Sequence, residues 1–275
     1  MNGYSDVIAA LKKGATDQPE LRDTVALCCK LLQIQSRVEV PTEADVPKAE
    51  DARARLQRGE PLLSLQEVEI DASRLTDLAM QIAFAVAECR RERVRQLADI
   101  HAWLYHRRNR MRTLATAYLR GNAVPESNSG IDGALLAFVM QSALYPFLRA
   151  RAQSLSRFVD ASSWYRGYCP ICGGEPDMAA LERGGGRRRL LCSRCDAEWA
   201  FRRLGCPFCG NDDPKELAFL PGDDEAHHLA VCKRCRRYLK TVDFRETAER
   251  PLAAERILTA GMDASAKGTG YHARA

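Results

Sequence analysis

From Ser73 onward, apolar residues recur at three- and four-residue steps: Leu75, Leu78, Ala79, Ile82, Val86, Cys89, Leu97, Ile100 and Leu104. Arg90, Arg91, Glu92, Arg93 and Arg95 occupy the other face. This period predicts a long amphipathic helix with a break near Arg90 to Arg95. Asp71 and Ser73 are capping candidates at its start, and Arg107, Arg108, Arg110 and Arg112 lie toward its far end, where cations suit the helix dipole. Asp17 to Arg37 and Glu43 to Gln57 show the same period more weakly, punctuated by Pro41, Pro47 and Pro61. Gly121 to Gly130 is rich in turn formers and reads as a loop. A further helix follows from Ile131 to Ala161, with a broad apolar face (Leu135, Leu136, Phe138, Val139, Leu144, Phe147, Leu148) and a kink at Pro146. Residues 1–163 therefore read as a helical bundle.

Near Trp164 the pattern changes. Short β-prone runs appear at Arg189–Leu191, Glu198–Arg202 and His228–Val231, punctuated by glycine, with Gly184–Gly186 as a hairpin turn. A short helix is expected over Leu252–Thr259 and a flexible end around Gly268–Gly270.

Composition changes the picture at one point. Of eleven cysteines, eight fall between Cys169 and Cys235, as four pairs with two intervening residues each: Cys169/Cys172, Cys192/Cys195, Cys206/Cys209 and Cys232/Cys235. Such a spacer lets one tight turn present two thiolates to one ion, and two turns complete the four-sulfur tetrahedron that zinc or a lone iron accepts. The first and third pairs share the pattern CPxCG, and the second and fourth share CxRC. This order is an internal duplication with a period of about forty residues. It predicts one site from Cys169, Cys172, Cys192 and Cys195 and a second from Cys206, Cys209, Cys232 and Cys235. An interleaved arrangement stays open but would split the repeats. The glycine after each CPxCG pair permits a positive φ that turns backbone amides toward sulfur.

Other uses of these residues fit less well. Small modules of about forty residues need a staple to fold, which a closed four-cysteine ion supplies. A dithiol redox pair is expected beside a βαβ unit, and a catalytic zinc keeps an open position with His or carboxylate ligands. His227 and His228 read as exposed strand or turn residues rather than substitute ligands. Cys28 and Cys29 point to different helix faces, Cys89 fits the core stripe, and none of the three is assigned chemistry.

Charge and hydropathy narrow the classes. Residues 166–246 carry fifteen Lys and Arg against thirteen Asp and Glu, so no strongly positive face is forced, and nucleic acid is not the expected partner. The apolar stretch Ala134–Leu148 is interrupted by Gln141, Ser142 and Pro146 and falls short of the ~20 residues a bilayer needs. It reads as a buried helix. Met1–Asp6 lacks a secretory signal pattern, so a cytoplasmic location is expected, where clustered cysteines favour metal over disulfides.

Tyr168–Pro176 (YCPICGGEP), Leu191–Cys195, Trp199–Arg203, Cys206–Gly210 and Val231–Lys240 (VCKRCRRYLK) together resemble the formate dehydrogenase accessory protein FdhE family, densely over about residues 164–244. The resemblance implies a cytoplasmic maturation factor that binds the catalytic subunit of a respiratory formate dehydrogenase before export and helps it become active. It also implies rubredoxin-like cysteine modules, with the eight cysteines as ligands and iron as one candidate ion; the spacing does not separate iron from zinc. Trp199, Arg202, Tyr238 and Lys240 match family positions and either support the fold or face a partner. The tail around Met262–Ala266 is less apolar than the family's usual end.

The expected fold class is α+β and multidomain: a helical N-terminal bundle (1–163), two small tandem rubredoxin-like or zinc-ribbon β modules (164–204 and 205–246), and a C-terminal tail with a short helix (247–275). The expected function is non-enzymatic, with two metal ions, no stable membrane insertion, and homo-oligomerisation left open. A rubredoxin-like redox carrier or redox-sensing release factor is the alternative, and a nucleic-acid-binding ribbon a more distant one.

Overall fold

The computed structural model describes residues 3–41, 46–63, 70–119, 130–160, 164–222 and 224–273. Seven helices come first: α1 (Tyr4–Asp17), α2 (Arg22–Gln35), α3 (Ala49–Arg58), α4 (Ala72–Cys89), α5 (Val94–His106), α6 (Met111–Leu119) and α7 (Gly133–Leu155). The Asp71 carboxylate accepts from the amides of Ser73 and Arg74 at 2.8 and 3.0 Å and so fixes the start of α4. The expected break falls at Arg90, whose backbone leaves the helical region, followed by a 3₁₀ turn over Arg91–Arg93. α1 carries a weaker apolar stripe that the sequence reading passed over; Val7 and Leu11 become buried only when α2 and a C-terminal helix cover them. Of the expected loop Gly121–Gly130, residues 121–129 lie outside the described residues, as do Glu43–Asp45 and Ala161 at the ends of two expected helices.

α7 runs through the helical core with twelve buried residues, two of them Arg149 and Arg151. The stretch Gly133–Phe158 is long and apolar enough to cross a membrane by length and composition, with half of its window buried inside the fold. Pro146 sits within α7 and removes the amide that the Ser142 carbonyl would accept. The buried side chain of Gln35, from α2, donates to that carbonyl instead at 2.8 Å. A broken backbone bond thus becomes a tie between helices.

The second half forms one sheet of six strands: β1 (Pro176–Leu181), β2 (Arg188–Cys192), β3 (Glu198–Phe201), β4 (Leu217–Pro221), β5 (His227–Cys232) and β6 (Arg237–Asp243). Their order is β3-β2-β1-β6-β5-β4. Each cysteine repeat contributes an antiparallel three-stranded meander. The first strand of one repeat pairs in parallel with the last strand of the other, Met178 to Leu181 against Lys240 to Asp243. This junction buries β6 along its whole length and leaves β4 as a partly exposed edge. The fold is therefore α+β, with both cysteine groups in the sheet-bearing part.

After the sheet come α8 (Leu252–Leu258) and α9 (Ala260–Ser265). α8 packs against α1, α2 and β1. Ala254 and Leu258 join Val7, Leu11, Val25, Cys29 and Leu32 in one apolar cluster. Gly14 makes the approach feasible, since a Cβ there would lie 2.5 Å from Leu258 Cδ1. The end of the chain is held rather than flexible as expected. The amide of His272 donates to the Arg236 carbonyl at 3.0 Å, and its carbonyl accepts from Tyr238 at 3.1 Å. Tyr238 and Lys240 serve this attachment: both reach Asp263, at 2.8 and 2.7 Å.

Candidate metal centres

Each repeat runs turn, strand, strand, turn, strand, with the first cysteine of the second turn at the strand's last residue (Cys192 in β2, Cys232 in β5). The local geometry repeats closely. Cys169 N donates to Gly174 O and Cys206 N to Asn211 O, each at 2.8 Å, while Gly173 N and Gly210 N return to the carbonyls of Cys169 and Cys206 at 3.0 and 3.1 Å. The residue after every cysteine pair has a positive φ: Gly173 at 70°, Asp196 at 56°, Gly210 at 73° and Arg236 at 58°. Glycine adopts this conformation without strain, whereas Asp and Arg do so at a cost. Both use their side chains in return. Asp196 receives Arg256 Nη1 at 2.8 Å and the Tyr145 hydroxyl. Arg236 donates to Gly270 O at 3.3 Å and lies over the Tyr271 ring.

These turns bring the sulfurs together in the two groups the repeat order predicts. Cys169, Cys172, Cys192 and Cys195 form one and Cys206, Cys209, Cys232 and Cys235 the other, with the sulfurs of each mutually within 4.8 Å. Close separations are 3.7 Å (Cys169 to Cys195), 3.4 Å (Cys172 to Cys192), 3.6 Å (Cys206 to Cys235) and 3.7 Å (Cys209 to Cys232). A tetrahedron with metal–sulfur bonds of about 2.3 Å has edges of roughly 3.8 Å, so the residues present fit an ion. All eight thiols are free of disulfides. Backbone amides of Ile171 and Cys172 point at Cys169 Sγ (3.3 and 3.5 Å), and that of Arg194 at Cys192 Sγ (3.4 Å), as stabilised thiolates require.

Electrostatics points the same way. Burial pushes the Cys169 and Cys195 thiols well up, while Cys172 is held well down by hydrogen bonds from Cys169, then Cys192 and Cys195. A buried group of four sulfurs is thus strained between protonation and charge, and a divalent cation relieves that strain. In the second group burial raises Cys206. Burial also opposes the Cys232 thiolate, but the Cys235 amide, the Asn211 side chain and the Arg234 amide outweigh it and bring Cys232 down to about 7.

The surroundings of the two groups differ. All four cysteines of the first are buried, whereas in the second Cys209 is exposed and Cys235 half-buried. The helical part covers the first group. Leu62 N and Leu63 N, just after α3, donate to the carbonyls of Pro170 and Ile171 at 2.9 and 2.7 Å. Tyr168 donates its hydroxyl to Gly59 O at 2.7 Å, and Gln141 of α7 reaches Ser193 O at 3.3 Å. Trp164 and Trp199 donate to the carbonyls of Tyr168 and Arg166, at 2.8 and 2.9 Å. Trp199 therefore braces the first turn, although in sequence it stands before the third.

Arg256 of α8 completes this tie. It donates to Asp177, Asp196 and the Cys192 carbonyl at 3.0, 2.8 and 2.8 Å. Burial alone would disfavour its charge, but Asp177, Asp196 and Tyr145 hold it firmly protonated. Sequence reading missed Asp196 and Arg256; the one signal available was an Asp where the other repeat has Arg236. His227 and His228 lie on β5 outside both sulfur groups, and they are half-buried rather than exposed. His227 is clamped by Asp224 at Nδ1 (2.8 Å) and Glu255 at Nε2 (3.0 Å). Cys28 is pushed up to about 11 by burial, chiefly, which suits a packing role. Asp223, one of the acidic residues counted from sequence, lies outside the described residues.

A helical body carrying paired four-cysteine ribbons on a shared sheet defines a class of metal-binding accessory folds without an enzyme-like catalytic constellation at the cysteines. Residues 168–203 match the family model of the FdhE central domain. The FdhE homolog of Aquifex aeolicus is 29% identical over 147 residues, 52% of this chain and 51% of that protein. The homolog of Shewanella baltica strain OS185 is 29% identical over 109 residues, 38% of this chain and 36% of that protein. The matched segments thus span about half or less of these relatives. The crystal structure of FdhE from Pseudomonas aeruginosa superposes with a TM-score of 0.62 at 20% identity, covering 98% of this chain and 93% of that one, and so shares the fold. Together these matches support the FdhE family for this chain.

Proposed function

We propose that this protein is a non-enzymatic maturation factor for a respiratory formate dehydrogenase, acting in the cytoplasm on the catalytic subunit before export. It carries two ions, iron or zinc, ligated by Cys169, Cys172, Cys192 and Cys195 and by Cys206, Cys209, Cys232 and Cys235. The organisation is a helical domain (1–163), two cysteine modules (164–204 and 205–246) and a tail (247–275). The β1–β6 pairing makes the modules one rigid body. The observation that carries this reading is the pair of four-sulfur groups on an FdhE-type fold. When bound, each ion supplies cross-linking of its two turns. The chain's own residues then hold the first site against the helices and present the second beside the exposed edge β4.

The test is a Cys206→Ser/Cys209→Ser variant, assayed for ion content and for capture of the purified catalytic subunit. One ion per chain and weakened capture are expected. Full ion content would defeat the ligand assignment, and undiminished capture would remove the second site from the client surface. The exposure of Cys209 favours one second reading, a rubredoxin-like site that exchanges electrons. Visible absorption of the purified protein separates the two, because ferric four-thiolate sites are coloured and zinc sites are not.

A further inference from the structure

Arg187, Arg188 and Arg189 look alike in sequence, as one basic cluster, but strand geometry separates them. Arg187 is 82% exposed, and Arg189 is paired with Glu198 at 2.8 Å. Arg188 is 6% exposed. Its Nη1 donates to the Gly205 carbonyl at 2.9 Å, and its guanidinium lies 5.9 Å from the Phe201 ring centre. Among the described residues, no carboxylate lies within ion-pair range of it. A buried guanidinium without an acid partner is costly, and burial brings Arg188 down to about 10. The neighbouring group that favours its charge is Cys206. Arg188 also lines, with Cys206, Cys232 and Phe208, a cavity of 80 Å³ beneath the second site. The other buried arginine there, Arg237, is already engaged by both oxygens of Glu175 at 2.8 Å.

Four thiolates around a divalent ion leave a net charge of about −2. We propose that Arg188, carried by the first repeat, is the counter-charge of the thiolate shell of the second site. It is a positioning residue: it ligates nothing, but it makes the shell less costly to keep ionised and so retains the ion. This rests on the reading of the second cysteine group as a metal centre. It also gives the mixed sheet a purpose, since the charge that one site needs is held by the strand of the other.

The test uses the full chain loaded with zinc and, separately, with iron. R188M removes the charge, R188Q removes it while keeping a donor toward Gly205, and R188K keeps it. For R188M and R188Q, transfer of the second ion to a chelator should quicken roughly tenfold, and the reduction potential of the iron-loaded second site should fall. The first ion is the internal reference and should be unchanged. R188K should restore most of both readouts. Unchanged release and potential in a folded R188Q would overturn the proposal, as would an R188K that behaves like R188Q. A wild-type chain that binds no second ion would overturn the metal reading itself, a distinguishable result.

Discussion

Cys169, Cys172, Cys192 and Cys195 lie beneath α3, α7 and α8, whereas Cys209 stands in solvent beside the exposed strand β4. The turns that hold the two groups share their hydrogen bonds and their left-handed residues. What separates them is the company of each repeat. The first strand of the first repeat is covered by β6, and its turns are held by Leu62, Leu63, Tyr168 and Gln141. The equivalent strand of the second repeat has a neighbour on one side only. One local motif thus serves as an internal staple in one place and as a surface feature in the other.

The largest effect expected from breaking this contrast comes from removing each ion in turn. A Cys169→Ser/Cys172→Ser variant loses a staple worth on the order of 10 kcal/mol, comparable with the about 5–15 kcal/mol that stabilises a whole domain. It should fail to fold cooperatively, seen as loss of the thermal transition in circular dichroism. Cys206→Ser/Cys209→Ser should retain that transition, because the opening stays local to its own turns. Equal damage from both variants would erase the distinction.

A smaller effect separates the two non-glycine residues at positive φ. Asp196→Ala leaves Arg256 short of one buried acid and should cost about 3 kcal/mol in denaturant unfolding. Arg236→Gly removes a surface attachment while relieving backbone strain, so about 1 kcal/mol or less in either direction is expected. A reversed order would show that the tail, not α8, closes the molecule.

The smallest effect concerns pH. Burial lowers the affinity of His227 for a proton, but Glu255 and Asp224 overcome this and raise its pKa above the usual value. The protonated form is therefore favoured in the folded state. Its contribution is complete below about pH 6.5 and is lost as pH rises through the raised folded value. His227→Gln should flatten this part of the profile of Tm against pH; an unchanged slope would assign it to other groups.

Much of the candidate site was legible because it is local. Two-residue spacing, the glycine after each CPxCG turn and the repeat order depend on neighbours in sequence, and the sulfur groups follow them. Helix α4, its cap at Asp71 and the break at Arg90 were legible for the same reason. Less visible was whatever depends on distant partners. His227 reads as a surface residue until Glu255 closes on it, and Trp199 reads as belonging to the third turn until its indole reaches Arg166. The final segment reads as flexible because the pairing of His272 with Arg236 and Tyr238 has no trace in its own composition.

The amino-acid sequence by itself determined that eight cysteines form two equivalent sets, since each turn is short enough to fold on its own terms. It also determined the helical character of the first half through the apolar period. Only the tertiary structure decided that the sets are not equivalent. Joining β1 to β6 buries one edge of each repeat and leaves β3 and β4 at the ends, and the helices cover the first repeat alone. Burial and counter-charge arise from elements far apart in the chain, so Asp196, Arg256 and Arg188 acquired their roles through packing, where sequence spacing carries no signal.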